Sequence, residues 1–210
     1  MMKILIADDH AIVRRGLVQI LADCPDTILV DEASDGNEAL AKVDGGEFDL
    51  VLLDISMPGR GGLDVLKELK SRHPRLPVLV LSMHPEEQYA VRALRSGASG
   101  YLTKGSASDE LVHAIRKVLS GGKYINSSLA EKLADALDSH AEEKLHETLS
   151  NREYQVLRMI GSGKTATRIA LEMSLSVKTI STFRGRILHK MRMKNNAELT
   201  CYAIQNNLID

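Results

Sequence analysis

The chain has 210 residues, 27 basic against 28 acidic side chains, 44% hydrophobic residues, no tryptophan and two cysteines. That length allows one or two domains with a sizeable core, and the ordinary hydrophobic share excludes a mainly disordered chain. Cys24 and Cys201 are too few and too far apart in sequence for a disulfide framework, and no apolar run reaches signal-peptide or membrane-spanning length, so free thiols and a cytoplasmic setting are expected.

From the amino terminus, short Val-, Ile- and Leu-rich runs alternate with amphipathic stretches. Strands are expected at Lys3 to Ala7, Ile28 to Ala33, Leu50 to Asp54, Val78 to Ser82 and Gly100 to Thr103. Between and after them, Ala11 to Leu21, Asn37 to Val43, Leu63 to Ser71, Glu86 to Ser96 and Ala107 to Leu119 carry apolar residues at helical spacing. Five alternations predict an α/β domain, a doubly wound five-stranded parallel sheet covered on both faces, over residues 1–122. Residues 123–148 read as a helical linker, with Leu129, Leu133, Ala136 and Leu137 on one face.

Residues 149–210 read as a second, all-α domain. Ser150 and Glu153 form a capping box, Thr165 to Met173 a short helix, and Ser176 the cap of a longer one running to about Met191; a last helix covers about Ala197 to Asn206. A short helix, a turn at Ser174-Leu175 and a longer basic helix make a helix-turn-helix. Ile180, Phe183, Ile187, Leu188 and Met191 supply the inner stripe of the longer helix. Lys178, Thr179, Ser181, Thr182, Arg184, Gly185, Arg186 and Lys190 lie elsewhere on it, with Thr, Ser and Arg suited to base edges and Lys178, Arg186 and Lys190 to phosphate. The charge is unevenly divided: residues 149–210 carry +6 and the remainder −7, which predicts a polyanion partner, double-stranded DNA, for this domain alone. Gly185 costs about 1 kcal/mol in a helix interior; a close approach of the backbone to DNA would explain it, and so would drift.

In the first domain, polar residues stand at the carboxyl ends of the expected strands: Asp8 and Asp9, Asp54, Ser82 and Lys104. Parallel strands bring these to one sheet edge, where open α/β sheets bind ligands. Three carboxylates about 5 Å apart repel pairwise by roughly 3 kcal/mol at an effective dielectric near 20, and one lysine offsets only one of them. An oxygen-only donor set calls for a hard divalent cation, Mg²⁺, beside which a carboxylate can attack a phosphoryl group. His10, next to two aspartates, is read as a helix-start residue rather than a metal ligand.

Taken together, Asp8-Asp9, Asp54 followed by Met57-Pro58, Ser82 and Tyr101-Leu102-Thr103-Lys104 resemble the CheY-like receiver domain of a two-component response regulator. Residues 149–210, with their Ser-Asn-Arg-Glu opening, resemble the LuxR-type DNA-binding domain. The pair is similar to the NarL/FixJ class over almost the whole chain. The resemblance implies that Asp54 accepts a phosphoryl group from a sensor histidine kinase. Asp8 (through water), Asp9, Asp54 and the backbone carbonyl of Ser56 hold Mg²⁺. Lys104 and Ser82 bind the phosphoryl oxygens, and Tyr101 turns inward as Ser82 moves. His84 sits where related receivers tune the lifetime of the phosphoryl group. A homodimer on two DNA half-sites is expected after phosphorylation. Three positions depart from the usual pattern: Gly61, where Asn or Asp is frequent; Ser181, where many relatives carry Lys; and residues 163–168, where the usual Ser-Asn-Lys-Glu is replaced. A Mg²⁺-dependent phosphatase of small molecules uses the same aspartate chemistry, but no insertion here is long enough to make its substrate cap. A constitutive DNA binder whose receiver only dimerises is the other alternative.

Overall fold

A computed structural model describes residues 2–24, 28–83, 86–106, 108–126, 129–131 and 145–209. The chain divides into two compact units, residues 1–138 and 139–210. His84, and Leu133, Ala136 and Leu137 of the expected linker helix, lie outside the described residues.

The first unit alternates β1 (Met2–Ala7), α1 (Ala11–Ala22), β2 (Ile28–Ala33), α2 (Gly36–Gly45), β3 (Leu50–Asp54), α3 (Gly62–Arg72), β4 (Val78–Ser82), α4 (Glu86–Arg95), β5 (Gly100–Thr103) and α5 (Ser108–Leu119). All strand pairs are parallel and the order is β2-β1-β3-β4-β5. The expected fold is therefore the observed one, with strand borders within a residue. Strands β3 and β4 are buried at every position because each has a neighbour on both sides, whereas edge strand β2 buries only Ala33. Their side chains join Leu17, Leu21, Leu111, Ile115 and Val118 from the helices in one apolar core.

Helix α2 begins one residue before the expected Asn37, because the Asp35 carboxylate accepts from the Asn37 and Glu38 N–H groups and fixes the start at Gly36. The body of the unit continues past Gly122. Tyr124 forms a parallel bridge with Gly100, buries its ring and donates its hydroxyl to Glu110 at 2.9 Å.

The second unit opens with a 3₁₀ turn (Leu145–Thr148), followed by α6 (Asn151–Gly161), α7 (Ala166–Glu172), α8 (Val177–Lys190) and α9 (Asn196–Gln205). Each helix start has a side-chain cap: Ser150 with Glu153 in a complete capping box, Thr165, Ser176 and Asn195. Ser174, at φ 53°, makes the turn between α7 and α8, and the Leu175 N–H closes it on the Ala170 carbonyl at 2.8 Å. Despite the unusual residues at 163–168, α7 forms and buries Ile169 and Ala170. The 3₁₀ turn is fastened to the helices behind it. The His146 Nδ1 lies 2.9 Å from the Tyr202 hydroxyl of α9, and its ring packs near Tyr154 of α6.

Candidate functional site: an acidic sheet edge and a basic helix

Register places the acidic site. Ala7 pairs with Leu53, Asp54 with Leu81 and Ser82 with Thr103, so Asp8, Asp54, Ser82 and Lys104 all leave the sheet at its carboxyl edge. The strand order reverses between β1 and β3, which opens the crevice that such sheets use for ligands. Asp54 and Asp8 are each only 1% exposed, and Ser82 and Tyr101 are fully buried.

Lys104 joins the two buried carboxylates. Its ammonium donates to Asp54 Oδ2 at 2.8 Å and lies 2.7 Å from Asp8 Oδ2, the latter an ion pair without hydrogen-bond alignment. The Lys104 N–H is itself held by the Ser82 carbonyl at 2.7 Å, which fixes where the side chain starts. Burial pushes the Asp54 carboxyl above its ordinary pKa, and Lys104 and the Ser56 N–H, 3.0 Å from Oδ1, offset this only in part. Burial opposes the Lys104 charge as well, but Asp54 and then Asp8 outweigh it and raise its pKa. One cation shared by two buried anions accounts for both directions: the lysine is held charged while Asp54 is not fully compensated.

Asp8, Asp9, His10 and Asp54 each offer a ligand atom, and those atoms lie within 4.8 Å of one another. One buried carboxylate oxygen here, Asp9 Oδ1, has no hydrogen-bond partner among the described residues, whereas Asp8 Oδ2 is met by the Lys104 ammonium at 2.7 Å. An orphaned buried acceptor costs about 1–3 kcal/mol. The donor set and the orphaned Asp9 oxygen fit a bound divalent cation. Ser56 lies in the loop just past Asp54.

Two positioning residues were not legible from sequence. Arg14 donates to the Asp8 carbonyl at 2.8 Å and to Glu32 at 2.7 Å, clamping the backbone that carries the aspartate pair. Gly62 is the other. A Cβ there would stand 2.0 Å from the Asp54 carbonyl oxygen and 2.5 Å from Ile55 Cα, so only glycine allows α3 to approach the end of β3. Gly61, which departs from the usual pattern, sits at φ −64°, ψ 145° as the N-cap of α3, a conformation open to any residue.

On α8, Ile180, Ile187 and Met191 are buried and Phe183 and Leu188 partly so, as the inner stripe requires. Lys178, Ser181, Thr182, Gly185 and Arg186 are exposed, and helical spacing gathers Lys178, Ser181, Thr182 and Gly185 on one face. Exposed His189 lies one turn beyond Gly185 on that face. Three expected contacts are already engaged within the unit. Thr179 shares the Ser176 cap, its hydroxyl 2.8 Å away; half-buried Arg184 donates to Asn196; and the Lys190 ammonium is 2.6 Å from buried Glu153. The Thr182 hydroxyl donates back to the Lys178 carbonyl at 3.0 Å, leaving its lone pairs as acceptors.

Residues 4–116 match the family described as Response regulator receiver domain, and residues 147–203 match Bacterial regulatory proteins, luxR family. The chain belongs to the NarL/FixJ class of two-component response regulators. It is 35% identical to Response regulator GacA of Pseudomonas protegens over 100% of this chain and 99% of the relative. It is 36% identical to Response regulator UvrY of Escherichia coli strain K12 over 99% and 96% respectively. Among solved structures, RcsB from Salmonella enterica serovar Typhimurium, bound to promoter rprA in the presence of the phosphomimetic BeF3−, is 27% identical with a TM-score of 0.64, covering 96% of this chain and 98% of that one. This response regulator is thus a DNA-binding transcription regulator rather than a metabolic enzyme. No helix among its described residues is long and apolar enough to cross a membrane.

Proposed function

We propose that this response regulator is switched by phosphorylation of Asp54, transferred from a phosphohistidine of a sensor histidine kinase, and acts in the cytoplasm on double-stranded DNA. The observation that carries this reading is Asp54 itself: a carboxylate at the end of β3, 1% exposed and harder to ionise because of burial, yet held by the Lys104 ammonium. In the transfer, an Asp54 oxygen bonds to phosphorus as the histidine nitrogen–phosphorus bond breaks; with the other ring nitrogen of the phosphohistidine protonated, the leaving group is a neutral imidazole and the product an acyl phosphate on Asp54. Asp9, Asp54 and the Ser56 carbonyl would hold Mg²⁺, with Asp8 acting through water, and the bound ion would supply charge neutralisation for the incoming phosphoryl oxygens. Lys104 exchanges its contacts with Asp54 and Asp8 for a phosphoryl oxygen, and the Ser82 hydroxyl donates to another. Buried Tyr101 then reports the position of Ser82 to the α4–β5 surface.

The receiver (residues 1–122) signals through the linker (123–148) to the DNA-binding domain (149–210). Phosphorylation favours a homodimer that reads two half-sites. The exposed face of α8, with Lys178, Ser181, Thr182, Gly185 and Arg186, supports entry into the major groove. Thr179, Arg184 and Lys190 also belong to the proposed interface, with Arg184 and Lys190 leaving their present partners to meet DNA.

Intact-mass measurement after incubation with Mg²⁺ and acetyl phosphate tests this. One phosphoryl group should add to the wild type, need Mg²⁺, and be absent from Asp54→Ala. Addition that persists in the variant refutes the assignment.

A further inference from the structure

Tyr124 lies beyond α5, yet it is only 7% exposed and is held from both β5 and α5. Its N–H donates to the Ser99 carbonyl at 2.8 Å and its backbone bridges Gly100, so it adds one position to the outer edge of β5. Its hydroxyl donates to Glu110 of α5 at 2.9 Å, and the ring of His113 on the same helix stands edge-on at 6.1 Å. The fit at Gly100 is tight. A Cβ there would meet Leu79 Cδ1 and Tyr124 Cβ at 2.8 Å and the Tyr124 carbonyl oxygen at 2.9 Å, closer than real Cβ contacts come. Atoms packed this closely transmit a displacement rather than absorb it.

The same strand ends at the acidic site. β5 spans Gly100–Thr103, a rod of about 13 Å at 3.3 Å per residue. Lys104 follows it, its N–H on the Ser82 carbonyl at 2.7 Å. On the other side of Tyr124 the linker takes root only two residues on. The Asn126 side chain accepts from the Leu129 N–H and its carbonyl from the Ala130 N–H, both at 2.9 Å, and Leu129 is fully buried.

We propose that Tyr124 is a positioning residue of the switch. It passes a displacement of β5, produced when Lys104 exchanges its carboxylate partners for a phosphoryl oxygen, to the first turn of the linker. The two-state element is β5 with Tyr124 on its edge, biased at one end by the phosphoryl group and at the other by the linker. This inference rests on the proposed phosphorylation of Asp54. A tyrosine that merely closed the sheet edge would stabilise both states alike and leave the linker indifferent to them.

Amide hydrogen exchange of the full chain, resolved by nuclear magnetic resonance with and without Mg²⁺ and the phosphoryl mimic beryllofluoride, tests this. In the wild type, exchange at Lys104, Leu129 and Ala130 should change at least about fivefold on adding beryllofluoride, the lower end of ordinary coupling between sites. In Tyr124→Leu the change at Lys104 should remain while those at Leu129 and Ala130 are lost. Tyr124→Phe, which keeps the ring and loses only the bond to Glu110, serves where the leucine variant does not fold, and should at least halve the linker response. A wild type that responds at Lys104 but not in the linker overturns the inference and leaves the phosphorylation reading intact. So do variants whose linker response is undiminished, or whose Lys104 response disappears as well. A wild type silent at all three amides overturns the inference and the phosphorylation reading together.

Discussion

Replacing Lys104 with methionine keeps the length of the side chain and removes the one cation between Asp8 and Asp54. The ligand oxygens of these residues lie within 4.8 Å of each other, so they repel by at least about 3.5 kcal/mol at an effective dielectric near 20. The loss has a ceiling, because one carboxyl can take a proton instead. Protonating a group of unfolded pKa near 3.9 at pH 7.5 costs about 5 kcal/mol. Lys104→Met should therefore destabilise the receiver by roughly 3 to 5 kcal/mol at pH 7.5 without divalent cation, the range measured when one partner of a buried pair is removed. The sign of the pH dependence follows. Burial already raises the folded pKa of Asp54, and the substitution raises it further, so the folded variant binds a proton that the unfolded chain does not. Stability should rise as pH falls toward that of the unfolded carboxyl, recovering as much as about 2.7 kcal/mol between pH 7.5 and 5.5. Urea unfolding followed by circular dichroism, in buffer with EDTA, measures both quantities. A loss below about 1 kcal/mol, or one equal at both pH values, refutes the picture of two buried anions sharing one cation.

Gly62→Ala should cost about 1–3 kcal/mol and slow phosphoryl uptake, because the new Cβ meets backbone atoms of Asp54 and Ile55 that cannot swing away; unchanged acetyl phosphate kinetics would show that the loop tolerates displacement. Gly185→Ala meets nothing within 4 Å and should stabilise the second unit by about 0.5–1 kcal/mol while weakening DNA binding in fluorescence anisotropy at fixed salt; undiminished affinity would remove Gly185 from the contact surface. Glu153 has its pKa lowered, since Lys190 and the Ser150 cap outweigh burial. Its stabilisation is present above about pH 4.5 and disappears as pH falls through the depressed folded value. Glu153→Gln should accordingly lower stability by about 1 kcal/mol at pH 7 and flatten the acid limb of thermal unfolding; an unchanged limb would mean that the pair contributes nothing.

Much of this molecule was legible because it is written in local patterns. Buried parallel strands are short and apolar, caps sit one residue before helices, and the polar residues at strand ends needed only parallel register to converge. Ser150, Glu153, Ser176, Asp54 and Lys104 all belong to that class. What sequence left unread depends on contacts between distant segments. Arg14 looks like an ordinary helix-surface arginine until Glu32 and the Asp8 carbonyl surround it. Gly62 resembles Gly61, and only the approach of α3 to β3 separates a required glycine from a permissive one. Lys190 and Arg184 carry the charge expected of DNA contacts, but their resting partners, Glu153 and Asn196, are 37 and 12 positions away in sequence.

The attachment of the 3₁₀ turn at His146 bears on how force travels within the second unit. A segment that entered α6 without lateral contacts would transmit tension only along one helix, unwinding its first turn before moving anything else. Here the entry point is riveted to Tyr202 on α9 and packed beside Tyr154 on α6, while the capping box locks the first turn of α6. Tension or torque applied at residue 145 is therefore spread across two helices and turns the four-helix body as a unit. A load entering at residue 145 thus reaches α9 through Tyr202 and α6 through Tyr154 together, rather than one helix first.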